Sequence, residues 1–302
     1  MPTHIQTPTK YARFGNKRQI YETIGSVWLK NLCRFTKRLA QFVSRICADL
    51  RNVWFSLSQF VSRICTDLRD ILFSLAQLHM MRGSYDKTIA KIEQWEAIQK
   101  DLYPSKDIPA KNLVLKAQAM YQKQDYATAS EYINAAVLQI ETNDLGFQVD
   151  EQWYVLQRAV YFELKQPENV KNVLLKLVKN FEAPKYWLQL AGMYAELGQE
   201  EKQLAVMEIA AQKSFVASGS DMFNLAQLYY YHQMPYKAAA LMQKAIHEGK
   251  LPEDERNLTF LAQSWNLAKE TDKAIPAMLS AAKLSETGEL YAQLGQMYLN
   301  MD

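Results

Sequence analysis

Four histidines and three cysteines are the residue types in this 302-residue chain best suited to acid–base, metal or redox chemistry. His4, His79, His232 and His247 lie far apart, and none stands three or four residues from another or within an HExxH motif. Neither a GxGxxG nor a P-loop pattern occurs. The sequence therefore predicts no catalytic residues, no metal site and no cofactor, and the protein is not expected to be an enzyme.

The cysteines and the amino terminus exclude further classes. Cys33, Cys47 and Cys65 are 14 and 18 residues apart, which fits neither a CxxC metal site nor a redox pair, so we interpret them as small apolar helix residues. Ile24–Leu32 is the best candidate for an apolar leader, but it is short and contains Lys30. We predict neither a signal peptide nor a transmembrane helix in this chain.

Composition favours helices. Only 10 Gly and 9 Pro occur, whereas 49% of the residues are hydrophobic, which disfavours turn-rich sandwiches and excludes collagen-like, disordered and disulfide-scaffold chains. The net charge of +3 is unevenly placed, at +8 over residues 1–70 and −5 over residues 71–302. This asymmetry predicts two parts of different character.

The basic part contains a tandem duplication. Gln41–Ser58 and Gln59–Ala76 are identical at 13 of 18 positions, and 18 residues make about five helical turns, so both copies present the same face. We predict a basic disordered arm over 1–20 and an amphipathic helical segment over 21–68.

A longer period begins beyond this segment, marked by a small residue with an aromatic or large residue three positions later. The pairs are Ala76/His79, Ala117/Met120, Ala159/Phe162, Ala191/Tyr194, Ala226/Tyr229, Ala262/Trp265 and Gly295/Tyr298. A second run of small or apolar residues at helical spacing follows each of the first six pairs, after turns such as Gly198-Gln199.

This pattern resembles the tetratricopeptide repeat (TPR), and the clearest match is Trp187, Leu190, Ala191, Tyr194 and Gly198. The resemblance covers 69–302 as six repeats and one half. It implies an all-α fold, a right-handed α-solenoid of helical hairpins preceded by the amphipathic segment. Extra residues are predicted in Asp101–Pro109 and Glu141–Asp150. We expect the chain to be cut short, with Leu290, Leu294, Tyr298 and Met301 lacking a covering helix; the alternative is that this face docks on another copy or another protein.

In the TPR family the residue after the small one lines a concave groove, and in this chain that residue is mostly glutamine. Glutamines and nearby tyrosines could hydrogen-bond an extended peptide and offer flat apolar contacts. The predicted partner-binding groove consists of Gln77, Gln118, Tyr121, Gln227, Tyr230, Tyr231, Gln263 and Gln296. The Lys, Asn and Arg set with which some relatives clamp a carboxylate is not reproduced.

Several stretches, including Leu72–Ala90, Ile108–Tyr126, Trp153–Pro167 and Phe223–Ala239, resemble a narrower group. These are the TPR proteins encoded beside TonB systems in gamma-proteobacteria. The resemblance implies a scaffold in an envelope transport complex and suggests a periplasmic location, although residues 1–71 do not fit it.

The expected function is thus a non-enzymatic scaffold that binds a protein or peptide partner, with no small-molecule substrate evident. An alternative is a tether to an anionic membrane surface through residues 1–70, where basic residues interleave with Tyr11, Phe14, Trp28 and Phe35. Nucleic acid is an unlikely partner for this segment, and a helical-repeat enzyme is the least favoured class.

Overall fold

The computed structural model describes residues 31–32, 34–39, 51–142 and 148–300. Within these ranges the chain is all-α and contains no strand. It divides into two compact units, Met1–Ile108 and Pro109–Asp302. The predicted arm over 1–20, the first copy of the duplication up to residue 50, and Cys33 and Cys47 lie outside the described residues.

The first unit contains one helical hairpin, formed by α1 (Arg51–Met81) and α2 (Tyr85–Leu102). Residues 31–32 and 34–39 are also helical. The two long helices pack through Cys65 and Leu72 on α1 and Trp95 and Ile98 on α2. Because α1 runs without a break through residue 69, the backbone does not divide at the boundary predicted there.

The second unit stacks five further hairpins and a final helix. In chain order its helices are α3 (Ala110–Gln122), α4 (Tyr126–Glu141), α5 (Glu151–Glu163), α6 (Pro167–Asn180), α7 (Pro184–Glu196), α8 (Glu200–Gln212), α9 (Gly219–Tyr231), α10 (Pro235–His247), α11 (Glu255–Leu267), α12 (Thr271–Leu284) and α13 (Glu289–Leu299). We call the odd-numbered helices A helices and the even-numbered ones B helices. Each helix packs on the next along the chain, which makes this unit an α-solenoid.

Local sequence explains where these helices begin. The side chains of Asp125, Asp150, Ser218 and Asp254 each accept a hydrogen bond from a backbone N–H of the first turn. Proline occupies the first turn of α6, α7 and α10, where its missing N–H costs nothing.

The turn from each A helix to its B helix has one recurrent geometry. A residue with positive φ ends the A helix, and the next N–H bonds to the carbonyl five residues earlier, as from Asp125 to Met120. The positive-φ residues are Gly83, Gln124, Lys165, Gly198, Gln233 and Lys269. These turns provide an exact register for comparing hairpins.

That register corrects the sequence alignment of the third hairpin. In the other five hairpins the positive-φ residue comes seven positions after the predicted small residue, but Lys165 comes seven positions after Arg158, not Ala159. Gln166 accordingly bonds to Tyr161, which occupies the aromatic slot and packs on the core, whereas Phe162 is 62% exposed. The predicted pair Ala159/Phe162 was therefore wrong by one residue, and the structure pairs Arg158 with Tyr161.

Small residues allow the helices to approach closely, as expected. Ala117, Ala226 and Ala262 on the A helices are fully buried, and so are Ala136, Ala210, Ala245 and Ala281 on the B helices. Ion pairs also link successive B-helix segments, with Nζ–Oε1 distances of 2.8 Å for Lys176–Glu141, 2.7 Å for Lys213–Glu182 and 2.8 Å for Lys237–Glu208.

The end of the second unit differs from expectation in one respect. Leu290 and Leu294 on α13 are buried against the core around α12, so the prediction that they lack cover was wrong. Tyr298 on the same helix is exposed, as predicted, and Met301 lies outside the described residues.

Candidate peptide-binding surface

Except for Tyr231, which is at position five, the predicted groove residues lie at positions one and four after the small residue, on one side of the A helices. We call these positions in the second unit the A-helix face. They are Gln118, Tyr121, Ala159, Phe162, Gly192, Ala195, Gln227, Tyr230, Gln263, Asn266, Gln296 and Leu299. Each of these residues is exposed or half-buried. The face is therefore open to a ligand along the unit.

The predicted residues divide between the two units. Gln77 lies on α1 and is exposed, but it belongs to the first unit. The other seven lie in the second unit. Gln296, near the end of α13, donates from Nε2 to the Oδ1 of Asn300 at 3.0 Å.

The most developed part of the A-helix face spans α9 and α11, and we call it the aromatic patch. Gln227 lies between Phe223 and Tyr230 at helical spacing, so all three share a side of α9. The ring of Phe260 on α11 lies 5.3 Å from that of Phe223 and 5.4 Å from that of Tyr230. One ring thus bridges two successive A helices.

Two further side chains extend the aromatic patch. The ring of Tyr231 meets that of Tyr230 edge-on, with 6.1 Å between centroids, and Tyr231 is 71% exposed. At the other end, the guanidinium carbon of Arg256 lies 4.7 Å from the ring centre of Phe223. The patch therefore combines fixed rings, the half-buried amide of Gln227, the exposed amide of Gln263, and one cation.

A second aromatic pair joins α3 to α4. Tyr121 packs edge-on against Tyr126, with ring centroids 5.4 Å apart. Burial raises the pKa of Tyr121, and the nearby Glu163 carboxylate and Tyr126 raise it further, while Arg158 lowers it. The hydroxyl of Tyr121, like that of any tyrosine at neutral pH, is protonated and can donate a hydrogen bond. Gln118 precedes it by one turn and Phe162 is exposed at the equivalent position of α5.

Between the two aromatic regions the A-helix face of α7 is nearly bare. Gly192 and Ala195 occupy the two positions, both exposed, and no atom lies within 4 Å of where a Cβ on Gly192 would stand. A ligand backbone could approach α7 more closely than the flanking helices, because no long side chain intervenes.

Sequence reasoning missed four members of this surface. Phe162 was hidden by the one-residue register error, which the turn before Pro167 could have revealed. Phe223, Arg256 and Phe260 precede the small residue, where the sequence analysis predicted no site residue; Phe223 is itself buried and supports the patch from below. Ring contacts between helices identify them, and no sequence signal predicts those contacts.

Features of catalysis are not found in the described part of the chain. Across those residues no group of three or more His, Cys, Asp or Glu could hold a metal ion. His79 and His232 are half-buried and His247 is exposed, each on or beside a different helix. Of the described helices, none is long and apolar enough to cross a bilayer.

Comparison with known proteins finds no matching family model and no matching curated protein. Similar solved structures are TPR proteins. The C-terminal part of a TPR repeat-containing protein from Cytophaga hutchinsonii has a TM-score of 0.45 and 15% identity, covering 70% of this chain and 78% of that one.

Two other TPR-like structures show similar values. YrrB, described as a TPR protein with an unusual peptide-binding site, has a TM-score of 0.42 and 17% identity, covering 58% of this chain and 84% of its own. The pilF protein of Pseudomonas aeruginosa has a TM-score of 0.38 and 14% identity, covering 77% and 98%. Likeness at this level does not assign a function.

Proposed function

We propose that this protein is a non-enzymatic scaffold whose A-helix face binds an extended segment of a partner protein. The observation that carries the proposal is the aromatic patch, where Tyr230, Tyr231 and Phe260 form a row of rings that is partly open to solvent. Tyrosine rings supply contact area at a small cost in conformational entropy, which suits them to recognition surfaces.

The polar side chains define the kind of segment. Gln227 and Gln263 each carry an amide that both donates and accepts hydrogen bonds, which matches the N–H and C=O groups of an extended backbone. Arg256 is the charged residue that touches the patch rings, so an acidic side chain at one end of the segment would be favoured. The bare surface of α7 would admit the backbone between the two aromatic regions.

The test is selection of peptides from a random 15-residue phage library, followed by measurement of Kd by fluorescence anisotropy. Replacing Gln227, Tyr230 and Gln263 together with Ala is expected to weaken binding of the selected peptides at least tenfold. A matched control replaces Gln212, Gln243 and Tyr291, which are exposed away from the patch, and should leave Kd unchanged. Selection of no peptide, or equal binding by both triple variants, would contradict the proposal.

A finer proposal concerns the setting of this scaffold. The resemblance of Leu72–Ala90 and Phe223–Ala239 to TPR proteins encoded beside TonB systems suggests a role in a TonB-linked envelope transport complex in a gamma-proteobacterium. Pull-down with purified periplasmic domains of the neighbouring TonB components would test it. Absence of binding to each of those domains would argue against that setting while leaving peptide binding intact.

A second candidate function is attachment to a membrane surface through residues 1–70. A specific observation favours it: Arg34, Lys37 and Arg38 are exposed on one short helical stretch together with Phe35 and Leu39. Cations beside exposed apolar side chains suit an anionic lipid surface.

Flotation with vesicles of phosphatidylcholine and phosphatidylserine would test this tether. Reversing Arg34, Lys37 and Arg38 to Glu should abolish binding at low salt, whereas reversing Lys202, Lys250 and Lys283 should not. Wild-type protein that fails to float at low salt would remove this candidate.

A further inference from the structure

Helix α1 has two apolar faces, and within the described part of the chain only one of them is covered. Val61, Cys65, Leu68 and Leu72 pack towards α2. A neighbouring face, centred about 100° further round the helix, carries large apolar side chains that are exposed at Leu57, Phe60, Ile71, Leu78 and Met81. Together with the half-buried Ile64 these six residues form what we call the outer stripe. Their positions fit a heptad in which alternate steps of three and four residues are apolar, with Asp67 and Ser74 as polar interruptions.

Comparison with later A helices indicates that this face is built to be covered. In the register of the turns, Ile71 and Leu78 correspond to Tyr186 and Met193 on α7. Counted from the small residue Gly295, they correspond to Leu290 and Met297 on α13. Those four side chains are buried, on helices that pack against the helix before them. On α1 the equivalent side chains are 55% and 48% exposed.

Charges beside the outer stripe point to the kind of helix that would cover it. Arg63 and Asp70 are both exposed and occupy the same heptad position, one heptad apart. If two copies of α1 lie antiparallel, the register that places Phe60 level with Ile71 of a second copy also places Arg63 beside Asp70 of that copy. Two-fold symmetry makes this pair twice. A parallel arrangement would set Arg63 beside the apolar Leu68 instead.

We propose that the outer stripe of α1 is a homodimer interface, in which two copies of this chain pair their α1 helices antiparallel about a two-fold axis. Exposed helix from Leu57 to Met81 provides about 37 Å of contact length at 1.5 Å per residue. Asp67 lies inside the stripe, level with Ile64 of the second copy. A carboxylate there disfavours burial in a bilayer, so a second protein helix fits this face better than lipid does.

The test is sedimentation velocity on the full chain from about 1 to 100 μM. The wild type is expected to dimerise, and Phe60→Glu with Ile71→Glu should make it monomeric. Ile209→Glu is the matched control, because Ile209 is also an exposed isoleucine but lies on α8. Circular dichroism of each variant checks that the helices remain folded.

Charge reversal tests the antiparallel register. Arg63→Glu alone and Asp70→Arg alone should each weaken the dimer about tenfold, because each places like charges together twice, and the two changes combined should restore wild-type affinity. Asp67→Leu should tighten the dimer without forming larger species, because it removes a carboxylate from the apolar interface. A wild-type chain that stays monomeric at 100 μM, or a dimer indifferent to Phe60→Glu with Ile71→Glu, overturns the proposal. A dimer that ignores both single charge reversals overturns the antiparallel register.

Discussion

The ring of Phe260 on α11 lies 5.4 Å from the ring of Tyr230 on α9, so an aromatic contact joins the A helices of neighbouring hairpins. Phe260 also contacts Phe223, whereas the equally apolar Phe162 stands exposed on α5. A phenylalanine side chain therefore packs between helices at position 260 and is open to solvent at position 162.

The substitutions Phe260→Ala and Phe162→Ala should separate these two roles. We expect Phe260→Ala to lower the free energy of unfolding by about 2 kcal/mol, since a half-buried ring loses its partners. Phe162→Ala should change it by under about 0.5 kcal/mol. Urea denaturation followed by circular dichroism measures both, and equal losses would show that Phe162 is also a packing residue.

Replacing glycine with alanine should change the stability in opposite directions at two positions. A Cβ at Gly219 would stand 2.0 Å from the backbone oxygen of Lys250, so Gly219→Ala must displace the segment before α11 and should cost about 1–3 kcal/mol. Nothing lies within 4 Å of a Cβ at Gly192, in the interior of α7, so Gly192→Ala should stabilise by about 0.5–1 kcal/mol. Thermal unfolding of the two variants gives the comparison, and a stabilising Gly219→Ala would refute the predicted clash.

The A-to-B turns offer a route to higher stability. Lys165 and Lys269 have φ of 54° and 64°, which costs roughly 1 kcal/mol for a residue with a Cβ, whereas glycine adopts it freely. Lys269→Gly should therefore raise the free energy of unfolding by several tenths to about 1 kcal/mol. The relief of backbone strain in the folded state exceeds the stabilisation of the unfolded chain by the extra conformational entropy of glycine. Gly198→Ala, with φ of 66°, is the reverse control and should destabilise. Loss of stability in Lys269→Gly would count against this account.

Stability should fall in alkaline solution through Tyr229. Burial, assisted by the carboxylate of Glu208, raises the pKa of Tyr229 from 10.0 to about 12 in the folded protein. The contribution of Tyr229 to the free energy of unfolding is complete below pH 10, where its hydroxyl is protonated in both the folded and the unfolded protein. This contribution is lost as the pH rises from 10 to 12.

The measurement compares urea unfolding of the wild type with Tyr229→Phe between pH 8 and 11.5. The difference in free energy of unfolding between the two proteins should be constant up to about pH 10 and then shrink. The titration of lysines and other tyrosines affects both proteins equally and cancels in this difference. Glu208→Gln should narrow the pH range over which this stability is lost, because burial alone then raises the pKa of Tyr229. A difference that does not vary with pH would show that Tyr229 is not the group responsible.

Local sequence was sufficient for the helices and for most of their turns. Small residues such as Ala191 and Ala226 recur at about the length of one hairpin, and capping residues such as Asp254 stand where helices begin. These signals act over a few residues, through backbone hydrogen bonds and side-chain size, so they can be read without knowing what lies across the chain. Six glutamine or tyrosine positions of the A-helix face, including Gln227 and Tyr230, followed from the same periodicity.

Tertiary structure alone decided which faces of those helices are covered. Moving the register of α5 by one residue rotates each side chain by about 100° around the helix axis, enough to exchange Tyr161 in the core for Phe162 on the surface. Likewise Phe260 joins the aromatic patch because α9 lies beside it, whereas Ile71 is exposed because no helix among the described residues covers it. An apolar residue in a sequence shows that a face can be buried, and only the packing of distant helices determines whether it is.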